Sequence, residues 1–365
     1  MKVPQFIPYI GQEEYTAIEE CFNTTWITEG PKADEFNKKL REFINVKYGV
    51  FAPNGTLALY LGLKALGIGP GDEVIVPDCT FIASANAVEM VGARPVFVDV
   101  NRKNFQIDVN DCYRVLSKKT KAIMPVHLYG MAANMTEVMN FAKRHNLFVI
   151  EDAAQALGVK YNGQYCGTFG EVGCFSFFAD KTITTGEGGF VVTNNEEIYQ
   201  KLLYLRNQGR IARGTFIHSE IGYNFRITDI QAAMGLVQLN KFEMIAKKKI
   251  NIDKLYKYYL KSVEEVTFTT IEPGSDYIPF RVIVFCKNAH KLMEFMSSKG
   301  IQPRTFFYPL HKQPCYQYLN QNNDKYFPNA IYGYEHGICL PSFAALTEEQ
   351  VKYVCDTIKE FYQKY

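Results

Sequence analysis

Two residues in this chain stand where they could share a reaction. Lys181 follows the apolar run Gly173 to Phe178 and precedes the turn Gly186-Glu187-Gly188-Gly189, after which Phe190-Val191-Val192 is apolar again. A lysine held between two buried strands has a depressed pKa, because burial disfavours the ammonium. A neutral amine can attack a carbonyl and form a Schiff base. Upstream, Leu147-Phe148-Val149-Ile150 is a continuous apolar run that ends in Glu151-Asp152-Ala153-Ala154-Gln155. Such a run reads as a buried parallel strand, and in open α/β sheets catalytic side chains sit at carboxyl ends of strands. Pyridoxal phosphate requires this pair: an amine for its aldehyde and an acid for its pyridinium nitrogen. Alone, Lys181 would read as a solvated hairpin-tip lysine; Asp152 changes the reading.

The residues Glu151-Asp152-Ala153-Ala154-Gln155 and Ser176-Phe177-Phe178…Lys181…Thr185-Gly186-Glu187-Gly188-Gly189 closely resemble the motifs of the DegT-type sugar aminotransferases, pyridoxal-phosphate enzymes of fold type I. The resemblance runs from about Pro8 to the C-terminal helix. It implies an α/β fold: a large domain with a mostly parallel, seven-stranded-type sheet between helices, and a small α+β C-terminal domain. It makes Lys181 and Asp152 catalytic, and gives Gln155 the cofactor's ring hydroxyl. Phe81 would stack on the pyridine ring, although core packing explains a phenylalanine there equally well. Gly55, Thr56, Ser176 and the partner subunit's Asn224 would hold the phosphate, so the resemblance implies a homodimer with its sites at the interface. It further implies glutamate as donor, pyridoxamine phosphate as the form carrying the nitrogen, and a keto sugar as acceptor.

The segment Cys21-Phe22-Asn23-Thr24-Thr25-Trp26-Ile27 is most similar to the perosamine and viosamine synthases. These aminate C4 of a nucleotide-linked 4-keto-6-deoxyhexose to a 4-amino-4,6-dideoxy sugar. Transfer to C3 is the nearest alternative. A dehydratase of the same fold is disfavoured by Lys181, since dehydrating relatives carry histidine there; a non-enzymatic regulator is disfavoured by Asp152, Gln155 and Lys181 together. A neutral, hydroxyl-rich sugar needs directional hydrogen bonds, and a diphosphate needs cations or N–H donors. Thr28 and His311 could bond sugar hydroxyls, Arg304 could meet the diphosphate, and Trp26 and Tyr308 offer flat faces. For each aromatic, simple packing is an equal reading.

The elements that must position these residues are legible as alternation. Apolar runs at Tyr48–Ala52, Glu73–Pro77, Pro95–Asp99 and Lys121–His127 read as strands, separated by helical segments such as Leu57–Leu66 and Met135–His145. Strand–helix alternation implies right-handed crossovers and a largely parallel sheet. Asn54-Gly55-Thr56 opens a helix, whose N-terminus offers free N–H groups to a phosphate or simply carries a cap. His127 reads as a structural histidine. A helix over Glu196–Arg206 and a polar loop, Asn207 to Glu220, lead to the Asn224 segment and a helix from Asp229 that Thr228 could cap. The lysine-rich Lys241–Leu260 connects a large domain, residues 1–240 with an N-terminal arm, to a small one, 241–365. Its strand Phe280–Phe285 and final helix Thr347–Tyr362 complete the pattern.

With 365 residues, 47 % of them hydrophobic, the chain can bury a sizeable core. Its 40 basic and 38 acidic residues give a net charge of +2, which suggests neither a nucleic-acid surface nor a polybasic membrane patch. Nine cysteines without a C-x-x-C pair show no metal-ligand spacing and suit a reducing, cytoplasmic setting. No apolar run approaches the ~20 residues of a membrane span, and the N-terminus lacks a signal peptide's apolar core.

Overall fold

A computed structural model of the chain describes residues 1–210 and 216–364. Residues 211–215, within the polar loop expected after the helix Glu196–Arg206, lie outside the described residues. Thirteen strands form among the rest. They are β1 (Tyr48–Ala52), β2 (Glu73–Pro77), β3 (Arg94–Val98), β4 (Thr120–Ile123), β5 (Phe148–Asp152), a small hairpin β6 (Lys160–Tyr161) and β7 (Gln164–Tyr165), β8 (Val172–Ser176) and β9 (Gly189–Thr193). Then follow β10 (Val266–Phe268), β11 (Val282–Cys286), β12 (Arg304–Thr305) and β13 (Gly337–Leu340).

The main sheet has seven strands in the order β1-β9-β8-β5-β4-β2-β3. Only β9 runs against its neighbours, β1 and β8; the other pairings are parallel. The carboxyl ends of β1, β2, β5 and β8 therefore open on one edge, where catalytic groups collect in such sheets. Register sharpens the placement. Gly189 pairs with both Ala52 and Ser176, so the segment after β1 starts level with the end of β8.

That segment is the helix Gly55–Ala65, whose N-terminal N–H groups are capped by the Asn54 side chain, accepting from Leu57 N. Ala58, Leu59, Leu61 and Leu63 bury it, and Gly62 lets it lie close to the sheet: a Cβ there would sit 2.9 Å from Val172 Cγ1. On the other face, Phe36 is fully buried with its ring 5.4 Å from that of Phe51. Burial of this kind is the main stabilising term, at ~25 cal/mol per Å² of apolar surface.

The second sheet, β10-β11-β13-β12, is antiparallel throughout and has its own apolar cluster. The long helix Phe242–Leu260 and the last helix, Glu348–Lys364, pack on one another over that cluster. Val3 belongs to it as well, through a parallel bridge to Ile301.

The expected helices Met135–His145 and Glu196–Arg206 are observed with those bounds. Two strands are shorter than their apolar runs. The run to His127 leaves the ladder at Ile123, and Pro125, with no N–H, stands before an isolated bridge from Val126 to Asp152. Phe280 and Arg281 precede β11 rather than forming it; Phe280 N donates instead to Tyr129 O, outside the second sheet. Thr228 caps the helix Asp229–Asn240 in a capping box with Gln231.

Candidate active site

A cavity of about 420 Å³ opens at the carboxyl edge of the main sheet. Its walls bring together Gly55, Thr56, Phe81, Asp152, Gln155, Ser176, Lys181 and Arg304, residues singled out from sequence at eight separate positions.

Lys181 is placed by a loop that closes on itself. Phe177 N donates to Gly188 O at 2.8 Å, and Thr185 N donates back to Phe177 O at 3.0 Å. Within it, Thr184 Oγ1 donates to Phe177 O and accepts from Gly186 N. Gly186 adopts φ +79°, a conformation suited to glycine. The amine lies 4.5 Å from the centroid of the Phe280 ring and, among the described residues, makes no hydrogen bond or ion pair. Burial is the largest influence on it and pushes its pKa below the ordinary lysine value; Arg281 acts in the same direction, while Asp180 and Asp152 oppose.

Asp152 ends β5 with its carboxylate held by two donors. Ser84 Oγ donates to Oδ2 at 2.7 Å, and Ala154 N donates to Oδ1 at 3.1 Å. Its neighbour Glu151 points to the other face, as alternation in a strand requires. There it accepts from the N–H groups of Gly167, Phe169 and Gly170, and it meets His127 Nε2 at 2.9 Å. His127 is thus a buried structural partner.

Gln155 lines the cavity while its Oε1 accepts from Tyr129 N at 2.8 Å. Phe81 is 56 % exposed, so its ring belongs to the cavity wall and not to a packed core. The helix Gly55–Ala65 points its N-terminus here. Its cap leaves the Gly55 and Thr56 N–H groups without an intrahelical acceptor. Gly55 also lies tightly against β8: a Cβ would sit 2.8 Å from Ser176 Cβ.

The sequence profile of the DegT/DnrJ/EryC1/StrS aminotransferase family matches residues 8–359. The chain belongs to that family. It is 41 % identical over 365 residues to the GDP-perosamine synthase of Escherichia coli O157:H7, covering 99 % of this chain and 98 % of that one. It is 38 % identical over 366 residues to the GDP-perosamine synthase of Vibrio cholerae, covering 99 % of each. Among solved structures, a putative sugar aminotransferase from Streptococcus pneumoniae in its PLP form superposes with a TM-score of 0.94 at 28 % identity, over 100 % of this chain and 99 % of that one.

Not every expected residue of this aminotransferase reaches the cavity of its own chain. Trp26, Thr28, Tyr308 and Asn224 are exposed and do not line it. Trp26 packs against Gly30, Tyr308 meets the edge of Tyr334, and Asn224 bridges Asn207. His311 departs furthest from expectation. It is fully buried, with Nδ1 2.6 Å from Asp78 Oδ2 and Nε2 3.2 Å from Asp324 Oδ1, so neither nitrogen is free for a sugar hydroxyl. Arg304 does line the cavity, half-exposed, 3.9 Å from Asp180.

Other groups here are not flagged by the sequence: Ser84, buried behind Asp152, and the ion pair of Asp180 with Arg281, which lines the cavity beside Lys181. Ser84 carries one local signal, its position in the first turn of the helix that follows β2. Arg281 carries none. No group of three or more metal-ligating side chains is found among the described residues, and no helix among them is long and apolar enough to cross a membrane.

Proposed function

We propose that this aminotransferase moves an amino group from glutamate to C4 of a nucleotide-linked 4-keto-6-deoxyhexose, as a homodimer, giving a perosamine- or viosamine-type sugar. Pyridoxal phosphate is its cofactor, and the residues present fit that group. The observation that carries the reading is Lys181, an amine with no hydrogen bond or ion pair among the described residues, in a cavity lined also by a carboxylate at a strand end and by a helix N-terminus.

The cofactor supplies, when bound, an electron sink for charge on the substrate carbon and a carrier for nitrogen. The chain does the rest. The Gly55 and Thr56 N–H groups, the helix dipole and the Ser176 hydroxyl form an anion cradle for the phosphate. Asp152, oriented by Ser84 and Ala154, favours a positive charge opposite it. Gln155 offers its amide, fixed by Tyr129, to a ring hydroxyl, and Phe81 offers a flat face. Lys181 Nζ, held toward its neutral form by burial, takes up and returns a proton at the reacting carbon. Arg304 supplies a cation at the mouth for an anionic substrate group.

Two further points belong to the proposal. The exposed apolar side chains Phe216, Ile217 and Ile221 support a subunit interface near Asn224. Nine unpaired thiols support work in a reducing compartment, the cytoplasm.

The test is a product assay. The protein is incubated with glutamate and, in turn, the GDP-, UDP- and dTDP-linked 4-keto-6-deoxyhexoses, and the product's ring positions are assigned by two-dimensional NMR. Nitrogen on C4 is expected, first with the GDP sugar given the names of the two relatives above. Nitrogen on C3 would overturn the position, and failure to release 2-oxoglutarate would overturn the donor.

A further inference from the structure

Amino transfer does not call for Asp180 or Arg281. Asp180 precedes Lys181 in the chain; Arg281 comes 101 residues later, from the segment that leads into the second sheet. Arg281 Nη2 donates to Asp180 Oδ2 at 2.6 Å, with the two side chains 8 % and 9 % exposed. Arg281 also lies over the Phe280 ring at 4.7 Å, the ring the Lys181 amine approaches at 4.5 Å. A buried ion pair of this kind costs the desolvation of both charges and is often no more stable than apolar side chains in its place. Stability alone is therefore a poor reason for it.

We propose that the Asp180–Arg281 pair is a positioning device for Lys181, pinning the lysine loop to the segment that leads into the second sheet and fixing two opposite charges beside the amine. The inference rests on Lys181 being the reacting amine. Asp180 favours the ammonium and Arg281 the neutral amine. One contact fixes both, so removing either partner exposes the other. The surrounding groups do not supply the same balance. Asp152, at the end of β5, acts in the same direction as Asp180. Tyr129, in the turn after β4, and Cys339, on β13, are pushed above their ordinary values by burial and carry no charge near neutral pH. Glu187, on the lysine loop, is also pushed up by burial. Arg304, on β12, is nearer Asp180 than any other carboxylate, at 3.9 Å. Lys249, on the helix Phe242–Leu260, feels the same two opposed charges, with Arg281 lowering and Asp180 raising its pKa.

The test reads the amine directly. The full-length protein is stripped of cofactor and labelled with trace acetic anhydride across a pH series, and acetylation of Lys181 is quantified by mass spectrometry. Asp180→Asn should move the labelling midpoint down and Arg281→Met should move it up, each by about one unit, a tenfold change in neutral amine at fixed pH. The double variant Asp180→Asn/Arg281→Met should return close to the starting midpoint, and Arg281→Lys should keep it. In the pyridoxamine phosphate form, where the Lys181 amine is free, the acid limb of the kcat/KM profile for the keto sugar should move with the midpoint. Two single variants shifting the same way, or not at all, would overturn the proposal. Should a single variant fail to fold, a full-unit displacement in the double variant or in Arg281→Lys overturns it instead. Borohydride fixing the cofactor on another lysine would remove the functional reading of Lys181 while leaving the labelling result intact.

Discussion

Asp152 depends on its donors as much as on its own charge. Without Ser84 Oγ it keeps only the Ala154 N–H, and a hydrogen bond to a charged group contributes about 1.5–3 kcal/mol. Ser84→Ala should therefore lower kcat/KM roughly 10- to 100-fold. The loss should appear in the half-reaction with glutamate as well as in full turnover, measured by release of 2-oxoglutarate. Lys181→Ala should abolish that release, yet equilibrium dialysis should still find cofactor bound, because the cradle at Gly55, Thr56 and Ser176 is intact. Retained turnover would refute the assignment. At this scale the sequence is informative where chemistry is contiguous. Asp152 and Lys181 each stand in a motif with an apolar strand beside it. Ser84 and Arg281 acquire meaning only from tertiary contacts across 68 and 101 residues. His311 shows the opposite failure: an aromatic and basic neighbourhood suggested a ligand contact, but Asp78 and Asp324 claim both nitrogens.

Two elements carry their own predictions. The helix Gly55–Ala65 meets β8 with no room for a methyl group, since a Cβ on Gly55 would sit 2.8 Å from Ser176 Cβ and 3.1 Å from its Oγ. Gly55→Ala should tilt the helix N-terminus off its phosphate line and weaken cofactor binding at least about tenfold, for the loss of one good hydrogen bond to a charged group. Fluorescence titration of the stripped protein checks this; unchanged affinity would show that this helix N-terminus does not hold the phosphate. The helix Phe242–Leu260 buries Lys249, 4 % exposed, with its Nζ donating to Phe280 O at 3.3 Å. Burial lowers this lysine to about 8 from its ordinary 10.5. Between those values the unfolded chain binds the extra proton, so Lys249 makes stability rise with pH across that window, by an upper limit of about 3 kcal/mol. Denaturant midpoints of Lys249→Met should lack this rise when compared with the parent from pH 8 to 10.5. Parallel curves would show that the amine is not desolvated. Strand and helix positions were readable from periodicity, because one face of each must be apolar. Their ends are less so, since the ladder before Pro125 stops early and the one after Phe280–Arg281 starts late, for reasons apolar content does not record.

At the scale of the molecule, a cavity assembled from one chain leaves Asn224, Trp26 and Thr28 outside it. If the partner subunit's Asn224 completes the site, then mixing inactive Lys181→Ala with inactive Asn224→Ala should restore about one good site per mixed pair. Sedimentation should report a dimer under assay conditions, and a fully active monomer would contradict the arrangement. The seven-stranded order was foreseeable as a class, but not the reversal at β9, because direction is set by the lysine loop doubling back and not by the strand's composition. The N-terminal arm adds a different consequence. Val3 is bridged to Ile301, and Gln5 Nε2 donates to Leu340 O, 335 residues further along. The next residues, Phe6 to Tyr9, share a small crevice with Asp180 and Lys181. During synthesis at 5–20 residues per second, the arm must wait roughly 20 to 70 s for its partners to leave the ribosome. The back wall of the lysine loop thus draws on segments far apart in the chain: the residues around Val3 and Gln5 are set in place only after Ile301 and Leu340 have been made.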